Sequence, residues 1–134
     1  MTKIIYSNSD GTVSIITPTG DIERAKQDVP SGTAYEVVED NKLPTDRTFR
    51  NAWVKGSGVV TEDVTKAKAI AHDTRRLKRA AEFKPHDDII AKQIPGKSAS
   101  DAETARAAIR TKYATMQTNI DNATTTSKIK EALG

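Results

Sequence analysis

The chain of 134 residues carries 21 basic and 18 acidic side chains, a formal net charge of +3, and no cysteine, which excludes disulfides, thiolate zinc sites and a cysteine nucleophile together. Hydrophobic residues make up 36% and aromatic residues only 4%, so the interior is expected to be thin and built chiefly from Ala, Ile, Val and Leu, which bury less area than rings. At this length one compact unit, or a small domain with an appendage, is expected to share buried surface with a partner.

The N-terminal MTKIIYSNSDG has an apolar run too short for a signal peptide, and no later run approaches the roughly 20 apolar residues of a membrane span. A soluble protein with no membrane partner is the expectation. Charge is unevenly placed: residues 1–55 hold seven basic and eight acidic side chains, residues 56–134 fourteen and ten.

Lys3 to Tyr6 and Thr12 to Thr17 are β-branched and aromatic runs separated by SNSDG, whose Asp10-Gly11 supplies the positive φ of a reversal, so they predict a hairpin. Asp21 to Asp28 reads as a short helix with an acidic start, stopped by Pro30 and Gly32. Ala34 to Glu39 is the third predicted strand. In Leu43 to Trp53, Thr45 or Asp46 can cap a single turn that puts Phe49, Ala52 and Trp53 on one face. Gly56-Ser57-Gly58 marks a turn between two very short strands.

From Glu62 to about Lys84 the spacing of Val64, Ala67, Ala71, Thr74, Leu77 and Ala81 predicts a helix with a narrow apolar seam. Pro85 is expected to break or kink it, with His86 to Ile94 as a further helical piece and Pro95-Gly96-Lys97 as a stop. Ser100 and Glu103 have capping-box spacing for a second long helix whose stripe is Ala102, Ala105, Ile109, Tyr113, Met116 and Ile120. Thr126 or Ser127 then caps a last short helix, Lys128 to Leu133. The expected fold is α+β: a small antiparallel sheet of about three strands with a short helix, followed by a helical hairpin and a short terminal helix. Two parts are expected, a strand-rich module over 1–60 that ends in the PTDRTFRNAW turn, and a basic helical hairpin over 61–134.

No catalytic constellation stands out. His86-Asp87-Asp88 are adjacent and point in different directions, with no further ligand at helical spacing, so they read as a solvated helix start rather than a metal site. His72 reads as a surface residue. The glycines complete neither a dinucleotide nor a Walker pattern, and no cofactor is implied. Lys66, Lys68, Arg75, Arg76, Lys78 and Arg79 oppose only Asp73, a basic face able to neutralise phosphates. They spread over several helix faces with no interleaved aromatic, so a solvated or carboxylate-paired face outranks both a protein interface and contact with nucleic acid. Arg47, Phe49, Arg50 and Trp53 form a candidate protein interface, since Trp and Arg are favoured anchors. For the rings, a plug between sheet and helices is the preferred alternative. For the arginines the alternative is pairing with Asp40 and Asp46.

The segment Tyr35 to Trp53, YEVVEDNKLPTDRTFRNAW, resembles a recurrent sequence of small tailed-bacteriophage proteins described as tail-associated, tail-fibre-associated or tail assembly chaperone-like. Pro44, Asp46, Arg47, Thr48, Phe49, Arg50, Asn51, Ala52 and Trp53 carry the likeness, which continues loosely through Lys66-Ala67, Ala107 to Arg110 and Lys130 to Leu133. Between Phe83 and Ser100 the chain departs from that pattern. The resemblance implies a non-catalytic structural protein, made in the host cytoplasm and carried in the virion as an adaptor or decoration subunit. Its partners would be other tail, fibre or head proteins, met in multiple symmetric copies. An assembly chaperone that leaves the particle, and a capsid cement or nucleic-acid-contacting protein, are the alternatives.

Overall fold

A computed structural model describes residues Met1 to Gly134 and divides them into two compact units, Met1–Ala67 and Lys68–Gly134. The first unit runs past residue 60 because the opening turn of the next helix belongs to it. Ala67 is fully buried there, and Lys66 Nζ lies 3.4 Å from the Gly11 carbonyl.

In the first unit β1 (Thr2–Ser7) is the central strand of an antiparallel sheet, flanked by β2 (Val13–Ile16) and β3 (Tyr35–Glu39) in the order β2-β1-β3. The register sets Ile5 opposite both Ile15 and Glu36, so Lys3, Ile5, Val13, Ile15, Glu36 and Val38 share one face. The β1-β2 loop closes where the sequence places it. Gly11 has φ +84°, and the Asp10 carboxylate accepts from the Thr12 amide at 3.0 Å and its hydroxyl at 2.6 Å. Those bonds, the hydroxyl first, hold the Asp10 carboxyl below its usual range. Asp21 caps the short helix α1 (Ile22–Ala25) by accepting from the Glu23 amide, and a 3-10 turn over Lys26–Asp28 follows.

The aromatic segment folds as a 3-10 turn, Arg50–Ala52, and leads into β4 (Trp53–Lys55), which pairs with β5 (Val60–Glu62). Trp53 and Val60 complete a core with Ile5, Val13 and Val38, against which Ile15 and Leu43 pack. Glu36 fastens this hairpin to β3 by accepting from the Gly58 amide at 2.8 Å and pairing with Lys55 at 3.1 Å.

In the second unit three helices pack together: α2 (Val64–Lys92, from Lys68 on), α3 (Ala99–Asn122) and α4 (Thr126–Leu133). Contacts His72–Asp121, Glu82–Lys112 and Asp87–Arg106 climb α2 while descending α3, which makes the pair antiparallel. Ala102, Tyr113, Met116 and Ile120 of the expected α3 stripe are buried; Ala105 and Ile109 are half-buried. Ile129 and Leu133 seat α4.

Four details depart from the sequence pattern. Helix α2 runs through Pro85 unbroken to Lys92. Proline removes one backbone donor, but salt bridges on both sides hold the turn: Lys84 and Lys92 to Asp88, and Arg106 to Asp87 at 2.8 Å. The seam of α2 also turns away from Leu77, which is 73% exposed. The buried face steps by four from Ala71 to Arg75, which is 8% exposed, and resumes at half-buried Glu82, His86 and Ile89. Ser98, rather than Ser100, caps α3, with the Asp101 amide as its donor at 3.2 Å. Thr125, one residue before the expected caps, accepts from the Lys128 amide and starts α4.

Candidate functional site

Of the four candidate interface residues, the two rings lie inside the first unit. Phe49 is 3% exposed and Trp53 2%. Arg50 lies over the indole, its guanidinium carbon 4.5 Å from the ring centre, and donates from Nη2 to the Val13 carbonyl at 2.7 Å. Burial, and then the neighbouring charge of Arg47, push the Arg50 pKa down. Arg47 sits 5.6 Å from the same ring centre and is exposed. The segment is thus a stacked clamp closing the first core. Its indole Nε1 is buried with no acceptor, a cost that the ring's area and cation contacts offset. Asp40 pairs with Lys3 at 3.4 Å and with the N-terminus at 3.6 Å, while Asp46 accepts from the Thr48 amide and hydroxyl.

The six residues of the basic face are dispersed among different tasks. Lys66 belongs to the first unit. In the second, Lys68 donates to the Asp121 carbonyl at 2.9 Å and Lys78 to the Leu133 carbonyl at 3.2 Å. Those carbonyls lie in the last turns of α3 and α4, where the helix dipole favours a cation and backbone acceptors lack helical donors. Arg76 pairs with Asp73 at 2.8 Å, and Arg79 lies 4.7 Å from the centre of the Phe83 ring. Arg75 is buried, and its Nε donates to His72 Nδ1 at 3.3 Å. The other imidazole nitrogen of His72 meets the Asp121 carboxylate at 2.8 Å, so His72 is a bridge between helices rather than an isolated surface group. That bridge joins residues 49 apart, a span no local spacing discloses.

A second network crosses the same helix pair. Lys112 approaches Glu82 at 2.7 Å and, with the Tyr113 hydroxyl next in effect, holds the Glu82 carboxyl below its usual range. Burial and then Glu82 raise the Tyr113 pKa, keeping the phenol protonated. Glu103 is held low by Arg110 and then Arg106. These carboxylates are engaged by cations, and no group of three or more His, Asp or Glu side chains converges as metal ligands would. No helix is long and apolar enough to cross a membrane.

Compared with known protein families, curated proteins and solved structures, the chain has no match in any of the three.

Proposed function

We propose that the chain is a non-catalytic structural protein of a tailed bacteriophage particle, a tail- or fibre-associated adaptor or decoration subunit that binds other virion proteins. What supports this reading is the residue pattern from Pro44 to Trp53, whose Asp46, Arg47, Thr48, Phe49, Arg50, Asn51, Ala52 and Trp53 resemble a sequence of small tailed-phage proteins. In this fold the pattern's rings close a core, so a partner would meet other surfaces. Tyr35 and Val37, 42% and 41% exposed, stand on β3, whose outer edge pairs with no strand, and Leu77 stands out on α2. Apolar side chains beside unpaired backbone suit a lasting contact with a neighbouring virion protein.

Quantitative mass spectrometry of purified particles is the test. A fixed copy number relative to the tail or head proteins is expected. Absence from particles, together with abundance in infected lysate, would overturn the adaptor assignment in favour of an assembly chaperone. A Val37→Lys chain that folds but is left out of particles would locate the contact on β3.

A further inference from the structure

Between α2 and α3 the second unit has a cleft of about 430 Å³, lined by Arg75, Arg76 and Arg79 from one helix and by Arg110, Tyr113 and Gln117 from the other. Four arginines from two antiparallel helices line one depression. Two are already neutralised, Arg76 by Asp73 and Arg110 by Glu103 at 2.9 Å. Arg75 and Arg79 have no carboxylate partner: Arg75 bonds to an imidazole and Arg79 stacks on Phe83. Arg75 is also more than nine-tenths buried.

Burying an arginine is costly, and here the nearest carboxylate, Asp121, reaches Arg75 only through the His72 ring. Packing alone would favour an apolar side chain at this point of the seam. A cation held there is in place to receive an anion. We infer that this cleft binds a phosphate dianion, either inorganic phosphate or the terminal group of a phosphate monoester, clamped by Arg75 and Arg79 with the Gln117 amide and Arg110 at its rim. The charge count selects that chemistry: two unpaired guanidinium groups balance two negative charges on one compact group, whereas a carboxylate or backbone phosphodiester brings one. Planar, forked donors also match phosphate oxygens in pairs. The placement does not favour a nucleic-acid track, since Lys68 and Lys78 are spent on helix-end carbonyls and no exposed ring adjoins the cleft for base stacking.

The inference is independent of the phage assignment. Calorimetric titration of the full chain at constant ionic strength, with inorganic phosphate, adenosine 5′-monophosphate and acetate, tests it, with amide shifts of Tyr113 and Gln117 read by NMR. One saturable site is expected, at least tenfold tighter for phosphate than for acetate. Binding should tighten as pH rises through the second phosphate ionisation, roughly pH 6 to 7. Equal affinities for phosphate and the nucleotide identify the free group as sufficient, and a tighter nucleotide identifies an ester as the ligand. The exposed Arg79→Gln variant should weaken binding at least tenfold with an unchanged fold, Arg79→Lys should restore part of it, and Lys97→Gln should change nothing. Absence of saturable phosphate binding, or binding indifferent to Arg79→Gln, overturns the inference. So does duplex DNA that displaces phosphate with a steep salt dependence and survives Arg79→Gln.

Discussion

The two units reach stability by different means. Met1–Ala67 carries eight basic and ten acidic side chains and closes a sheet core of Ile, Val and one Trp. Lys68–Gly134 carries thirteen basic and eight acidic side chains, and much of its joinery is ionic: helix pair by salt bridge, helix ends by lysine, one seam position by a buried arginine. Packing in the first unit concentrates on a few large side chains. The second has no central ring of that kind and buries Tyr113, Met116, Ile120, Ile129 and Leu133 among Ala71, Ala102 and Ala123, so single truncations should separate the two.

The largest effect is expected at Trp53. Trp53→Ala removes the ring that joins both sheets of the first core and should cost about 3–5 kcal/mol in urea unfolding. Trp53→Phe keeps a ring beneath Arg50 and deletes the unpaired Nε1 donor, so about 1–2 kcal/mol is expected. Equal losses would show that the aromatic stack contributes nothing. Ile129→Ala is the counterpart in the second unit. It removes one of the two apolar anchors of α4, and about 2–4 kcal/mol should be lost, with faster amide exchange across Thr126–Leu133.

Pro85→Ala should act in the opposite direction. The exposed proline interrupts the α2 hydrogen-bond ladder, and alanine restores the donor at a position already helical, so a gain of about 1–3 kcal/mol is expected. No gain in thermal or urea unfolding would mean that the fixed φ of Pro85, by restricting the unfolded chain, contributes as much as the restored hydrogen bond.

Features written in consecutive residues were legible in the sequence: the Asp10-Gly11 reversal, the three strands and the α3 stripe from Ala102 to Ile120. The course of α2 was not, because its apolar residues are mostly alanines, and Ala80 and Ala81 fit a helix surface as readily as a seam. Leu77 looked internal by spacing, yet it is exposed and Arg75 occupies the buried position. The candidate residues near Trp53 were found for their composition, but composition could not tell a clamp from an anchor. The Arg75–His72–Asp121 chain depends on the antiparallel register of two helices. The α3 start is a smaller case: Ser98 and Ser100 both precede an acid by three residues, and the backbone puts Ser98 at the extended cap position. Ser98→Ala should cost about 1 kcal/mol and Ser100→Ala nearly nothing in the same unfolding assay.

The gentlest perturbation is acid. Glu36 in the first unit is held below its usual range by the Gly58 amide and then by Lys55, and Glu82 and Glu103 in the second by Lys112 and Arg110 first. A carboxyl whose folded pKa is depressed stabilises the fold fully above its unfolded value, about 4.3 for glutamate, and that contribution disappears as pH falls through the folded value. These three groups should therefore leave stability flat between about pH 7 and 5 and lower it below about 4.3. Lys112, whose pKa is raised chiefly by Glu82, has the opposite sense: its contribution is complete below its unfolded value of about 10.4 and is lost as pH rises through the folded one. Glu82→Gln should blunt the acid and alkaline losses of the second unit together and leave those of the first intact. Half a molar salt should shrink the second unit's losses further, because solvent-exposed ion pairs are screened while the Gly58 amide bond to Glu36 is not. Equal salt sensitivity of both units, followed by amide exchange, would show that ionic joinery does not set the helical unit apart.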